Sequence, residues 1–139
     1  MIFEATTSLQ PVDIAIIDDD ESVRVSLRRL CIVLGLGATA YASGEDFLRS
    51  LDDSERRPDC LLLDAHMPRM TGLEVQQHLV RAGVRFPTII YSADDAPEVR
   101  ARHVDAGAAG YLEKPIDGDK LLAAITQAIA MMRYAPEMR

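Results

Sequence analysis

A doubly wound α/β sandwich, five β-α units around one parallel sheet, is the fold this 139-residue sequence predicts. Three observations predict it. Short apolar runs without polar alternation (Ile14-Ala15-Ile16-Ile17, Cys60-Leu61-Leu62-Leu63, Thr88-Ile89-Ile90-Tyr91) are the pattern of parallel strands covered on both faces. Between them lie segments with helical spacing, so strand and helix alternate along the chain. Crossovers between parallel strands are right-handed in nearly all cases, which puts helices on both sides of the sheet.

Residues 1–11 read as a flexible arm closed by Pro11. The first strand, about 13–17, leads into a helix from Glu21 to Leu34. There Val23, Leu27, Leu30, Cys31 and Leu34 share a face, and Gly35 and Gly37 end the helix. A second strand, 38–41, precedes Ser43, an N-cap for a helix over 44–52. Pro58 precedes the third strand, 59–63; residues 65–71, with Met67-Pro68 and Thr71, read as loop up to Gly72, and a helix follows over 73–82. Pro87 opens the fourth strand, 87–91; a helix over 96–106, a short strand over 109–112 and a last helix from Asp117 to Met132 complete the domain, 12–132. Residues 133–139 read as a tail. In the last helix Leu121, Leu122, Ile125, Ile129 and Met132 read as core, while Ala123, Ala124, Ala130 and Met131 suggest a partner face. His78 and His103 fall in helical patterns and read as surface residues.

Composition narrows the function. Apolar residues make up 48% of the chain and charged residues 27%, a globular balance, and the net charge of −7 argues against a nucleic-acid coat. No apolar stretch approaches the ~20 residues needed to span a membrane. The N-terminus lacks the basic start and apolar centre of a secretory signal. Cys31 and Cys60, without CxxC or His spacing, read as buried thiols of a cytoplasmic protein.

Chemistry gathers at the strand ends. In an open parallel sheet ligands bind beyond the carboxyl ends of the strands. The first run ends in Asp18-Asp19-Asp20, the third in Asp64, the fourth in Ser92, and the fifth leads through Glu113 to Lys114. Crowded carboxylates need a cation or a shared proton. Mg2+, hard and oxygen-seeking, suits Asp18, Asp19 and Asp64, whereas no paired His/Cys set exists for zinc. A carboxylate beside the ion can attack phosphorus, with Lys114 and Ser92 stabilising the phosphoryl oxygens. An Asp-Asp-Asp run taken alone also fits turn or helix-cap chemistry.

These residues resemble the response-regulator receiver domain of two-component signalling. The likeness rests on Ile16-Ile17-Asp18-Asp19-Asp20 with Val23-Arg24, Leu63-Asp64-Ala65-His66-Met67-Pro68 with Gly72, Tyr91-Ser92-Ala93, and Gly110-Tyr111-Leu112-Glu113-Lys114-Pro115. The resemblance implies a flavodoxin-like sheet in the order 2-1-3-4-5, which sets Asp18, Asp19 and Asp64 side by side. It implies that Asp64 takes phosphate from a sensor histidine kinase or phosphotransfer protein. Asp18, Asp19 and Asp64 would hold Mg2+ together with the His66 backbone carbonyl. Ser92 would be the switch hydroxyl, Lys114 the phosphate-binding lysine, and Tyr111 the aromatic that follows Ser92. His66 and Asp94, each two residues after a site residue, would modulate the lifetime of the aspartyl phosphate. Thr71 stands where the family often has aspartate, a position that reads as loop and so matters little.

The expected role is a phosphoacceptor rather than a metabolic enzyme, with a phosphorylation-dependent homodimer as one output and no nucleic-acid contact of its own. A transcriptional output domain outside this sequence and a stand-alone receiver in a phosphorelay both remain open. A Mg2+-dependent aspartyl-phosphate phosphohydrolase is the enzymatic alternative. It usually has a second acid two residues past the nucleophile, where this chain has His66. A pseudo-receiver scaffold is disfavoured by the complete set of acids, Ser92 and Lys114.

Overall fold

The computed structural model describes residues 11–53, 57–94 and 96–134; the N-terminal arm, apart from Pro11, and nearly all of the expected tail lie outside them. Among the described residues five strands and five helices alternate: β1 Asp13–Ile17, α1 Glu21–Val33, β2 Gly37–Tyr41, α2 Gly44–Asp53, β3 Cys60–Asp64, α3 Gly72–Arg81, β4 Thr88–Ser92, α4 Pro97–Asp105, β5 Gly110–Glu113 and α5 Gly118–Tyr134. All strand pairs are parallel and the order is β2-β1-β3-β4-β5. The chain reverses its direction of winding after β2, so β1 and β3 flank the switch point.

Because side chains alternate across a strand, the sheet makes two cores. Ile14, Ile16, Leu62, Ile89 and Tyr91 pack with Leu27 and Cys31 of α1 and Leu121, Ile125 and Ala128 of α5. Ala15, Ile17, Leu61, Leu63 and Ile90 pack with Phe47 of α2 and Val75 and Leu79 of α3. The three central strands are almost wholly buried, which explains their unbroken apolar sequence. Both cysteines are free and buried, and burial pushes the Cys31 thiol up to about 11 and the Cys60 thiol up to about 12.

Local signals set the helix starts. Asp20 caps α1 by accepting from the backbone N–H groups of Ser22 (2.9 Å) and Val23 (3.4 Å). Ser43 accepts from Asp46 N–H (3.0 Å) at the start of α2. Thr71 is more than loop: its hydroxyl accepts from Glu74 N–H (3.1 Å) while Glu74 accepts from Thr71 N–H (2.9 Å), a reciprocal capping box. Its identity therefore matters to the start of α3.

Three expectations about helix faces change. Leu122 is 39% exposed, and Ala128 takes its place in the core. Neighbouring helix positions point 100° apart, so Leu121 and Leu122 cannot both face the sheet. Ala124 is half-buried against β5, close to Gly110, and does not belong to the exposed side. His103, expected on the surface, is the buried residue of α4. Its Nδ1 lies 2.7 Å from Gln76 Oε1, while Gln76 Nε2 donates to the His103 carbonyl (3.1 Å). This paired contact satisfies both polar side chains and ties α4 to α3. His78 is exposed as expected.

Candidate functional site

The four strand ends meet at one edge. Asp18 follows β1 directly and is fully buried; Asp64 closes β3 and is nearly so, while Asp19 is exposed. One oxygen from each of the three carboxylates lies within 4.8 Å of the others. Lys114, just past β5, reaches back over this cluster, with Nζ 3.5 Å from Asp64 Oδ1 and 3.9 Å from Asp18 Oδ2. The Lys114–Pro115 peptide bond is cis. One ammonium among three carboxylates leaves net negative charge, and the donors are all hard oxygens. This set fits a hard divalent cation held by Asp18, Asp19 and Asp64.

Backbone and side-chain contacts orient the acids. Asp18 Oδ1 accepts from Asp20 N–H (2.8 Å) and Oδ2 from the Tyr91 hydroxyl (2.6 Å). Arg24 donates to the Asp18 carbonyl (2.9 Å), which anchors the turn between β1 and α1. Asp64 Oδ1 accepts from His66 N–H (3.2 Å). Burial and then repulsion from Asp18 raise the Asp64 carboxyl above its usual range; the His66 N–H and Lys114 oppose this. Burial, followed by the bond to Asp18, likewise pushes the Tyr91 hydroxyl far up, so it stays a donor.

Beside the acids, Ser92 is fully buried at the end of β4, its Oγ accepting from Asp94 N–H (2.9 Å). Its carbonyl accepts from Lys114 N–H (2.9 Å), which joins the two strand ends. Asp94 turns its carboxylate to Ala96 N–H (2.9 Å), and its carbonyl accepts from the Tyr111 hydroxyl (2.7 Å). Tyr111 is buried, with Arg100 5.3 Å from its ring centroid and the His103 ring at 6.0 Å. His66 points to solvent.

The sequence-predicted residues Asp18, Asp19, Asp64 and Lys114 are therefore brought together, and Ser92 is joined to them through Lys114. Tyr111 adjoins them, its hydroxyl bound to Asp94 in the β4–α4 loop. Three contributors escaped the sequence reading. Tyr91 looked like another apolar strand residue, and its partner lies 73 positions away. Arg24 was read only as part of a motif. Thr71 was readable in principle, since Thr71-Gly72-Leu73-Glu74 is a capping-box pattern.

Comparison with known proteins points the same way. The model of the response regulator receiver domain family matches residues 14–126. Response regulator MprA of Mycobacterium sp. (strain KMS) is 40% identical over 114 residues, which cover 81% of this chain and 48% of the relative. MprA of Mycobacterium ulcerans is 39% identical over 112 residues, covering 81% and 47%. The chain thus spans about half the length of the curated relatives it matches. Among solved structures, a response regulator receiver protein from Burkholderia phymatum superposes with a TM-score of 0.75 at 37% identity, covering 85% of this chain and 94% of that one. The crystal structure of FixJ-N gives 0.79 at 29% identity, covering 88% and 96%. With the acid cluster at the switch point and the family model matched over most of its length, this chain belongs to the response regulator receiver family of two-component signalling.

Proposed function

We propose that Asp64 is the phosphoacceptor and that a sensor histidine kinase or phosphotransfer protein supplies the phosphoryl group. The observation that carries this reading is Lys114, whose ammonium sits 3.5 Å from Asp64 Oδ1 at the edge of a three-carboxylate cluster. An Asp64 oxygen forms the new O–P bond as the P–N bond of the donor breaks, and the leaving imidazole keeps the electron pair. Asp18, Asp19, Asp64 and the His66 carbonyl would hold Mg2+, which when bound neutralises charge on the transferring oxygens. Lys114, close to both Asp64 and Asp18, would serve the same end. Ser92, accepting from Asp94 N–H, can still donate its own proton to a phosphoryl oxygen.

The signal leaves through the β4–α4 loop. Phosphorylation adds about −1.5 to −2 charge and three acceptor oxygens. Moving Ser92 toward them would pull on Asp94, and through its carbonyl on Tyr111. Driving a two-state element from 1:99 to 99:1 needs ~5.5 kcal/mol, within reach of two or three charge-assisted hydrogen bonds. His66, exposed beside the acceptor, would govern water access to the phosphoryl group, and Asp94 would modulate its lifetime through the loop. A phosphorylation-dependent homodimer would use the open side of α5, where Leu122 and Met131 are exposed. Domain limits of 12–132, a cytoplasmic location and an output module beyond this chain belong to the same proposal.

Acetyl phosphate with Mg2+ followed by intact mass tests the assignment. The unmodified protein is expected to gain one phosphoryl adduct and Asp64→Asn none. An equal adduct on the variant would refute Asp64 as acceptor.

A further inference from the structure

Tyr91 is an unusual occupant of its position on physical grounds. It lies one residue before the end of β4, paired with Asp64 across the strands, and is fully buried among apolar neighbours of α1 and α5. An aliphatic side chain would fill that core without needing a hydrogen-bond partner. The phenol instead extends up to the acid cluster and donates to Asp18 Oδ2 at 2.6 Å. Asp20 N–H holds the other oxygen at 2.8 Å, so each Asp18 oxygen has its own donor and the carboxylate plane is fixed. Lys114 Nζ lies 5.3 Å from the centre of the Tyr91 ring and 3.9 Å from the oxygen that the phenol binds.

We propose that Tyr91 is a positioning residue for the cation: its hydroxyl orients Asp18 and keeps Lys114 from capturing the Oδ2 of that carboxylate. The proposal rests on the reading of Asp18 as a Mg2+ ligand.

Two effects of the phenol oppose each other. Its hydrogen bond draws charge from Oδ2, which weakens that oxygen as a ligand. It also fixes the carboxylate and occupies the side from which Lys114 would approach. The second effect wins, because an Asp18 Oδ2 released by the phenol has an ammonium only 3.9 Å away. Lys114 would close that gap, add positive charge where the cation belongs, and loosen its contact with Asp64. Loss of a partner that orients a metal ligand typically costs about 10–100-fold in affinity.

The test is Tyr91→Phe in the full chain, with Mg2+ alone as the probe. Calorimetric titration is expected to show the Mg2+ dissociation constant rising ~10-fold. The rate of phosphorylation by acetyl phosphate should fall at limiting Mg2+ and recover as Mg2+ is raised, a split that simple loosening of the core would not produce. Unfolding in EDTA checks that the variant folds. A second measurement needs no variant. With 13C at the tyrosine Cζ, Mg2+ should shift the Tyr91 signal of the unmodified protein and leave that of Tyr41 in place. Equal Mg2+ affinity in the two proteins, or a Tyr91 signal that Mg2+ does not move, overturns the inference. If the unmodified protein binds no Mg2+, the site reading falls and this inference with it. If it binds Mg2+ and is phosphorylated on Asp64 while Tyr91→Phe binds as tightly, only the role of Tyr91 falls.

Discussion

Gly72→Ala is the most direct probe of how the fold places Asp64. Gly72 opens α3 and donates its N–H to the Ala65 carbonyl (3.2 Å), so the helix start rests on the backbone just after Asp64. A Cβ at this position would sit 2.5 Å from the Asp64 carbonyl oxygen and 3.1 Å from Ala65 Cα. Real Cβ contacts essentially never fall below 3.0 Å, so α3 and the end of β3 must part by about half an ångström. Neither side of the clash is a flexible side chain. Overpacking of this kind costs about 1–3 kcal/mol. Alanine offsets under ~1 kcal/mol through helix propensity, least at a first turn. At ~3–5 °C per kcal/mol for a domain of this size, the melting temperature should fall by several degrees. Misplacement by 1 Å can cost ~100-fold in rate, so half that shift should slow phosphorylation by acetyl phosphate roughly tenfold. Gly35→Ala is the control: Gly35 has φ +84° with open space around it. Its replacement should cost ~1 kcal/mol in backbone strain and leave the phosphorylation rate alone. A Gly72→Ala protein that melts with the wild type and accepts phosphate at the wild-type rate would refute the contact as a positioning element.

Three other outcomes are expected. In EDTA, Asp64→Asn should melt higher than wild type. An acid whose folded pKa lies above its unfolded value costs stability once pH exceeds both, and two charges ~5 Å apart repel by ~3 kcal/mol at an effective dielectric of ~20, only part of which Lys114 offsets. A lower melting temperature would mean that the Lys114 contact outweighs repulsion and burial. Thr71→Ala should cost ~1 kcal/mol, read as a lower urea midpoint at unchanged slope. His103 is held below its ordinary value of 6.5, first by burial, with His66 and Arg102 adding. Since the unfolded chain then takes the proton more readily, stability should fall as pH drops below 6.5, and the double variant Gln76→Leu, His103→Leu should flatten that slope. An unchanged slope would show that His103 is not its source.

Strand ends and helix order were legible because their signals are local. Unbroken apolar runs mark strands buried on two faces, and Ser43, Gly35 and Pro87 mark boundaries within a residue or two. His103 and Tyr91 were misread because their environments are set by distant chain, Leu122 because a local stripe was passed over. His103 sits between Arg102 and Val104, yet Val99 four residues earlier marks the same helix face, and that face meets Gln76 of α3. Leu122 looked like core because leucine usually is, although the 121-125-128-132 stripe already filled the sheet side of α5. The acids were legible as a set because four separate strand ends carried matching chemistry.

The two phenols at the site belong to opposite faces of the sheet. Tyr91 rises from the core under α1 and α5 and binds an acid of the three-carboxylate cluster, whereas Tyr111 belongs to the opposite core and binds the Asp94 carbonyl in the loop before α4. The first contact is between a neutral donor and a buried carboxylate, and it is fixed on both sides by β4 and by the turn at Asp20. The second holds a loop whose helix buries His103 as its inward residue. A charge placed on Asp64, as proposed, would act on both, but the restraints are unequal. Asp18 is gripped at both oxygens, whereas Ser92 accepts from Asp94 N–H and keeps its own proton free to donate to a phosphoryl oxygen. On the proposed roles, the rigid phenol would serve cation binding and the yielding one output. Tyr91→Phe should change Mg2+ affinity with little effect on exchange of the α4 amides, and Tyr111→Phe should do the reverse in hydrogen–deuterium exchange. Matching exchange patterns for the two variants would show that the faces are not separated.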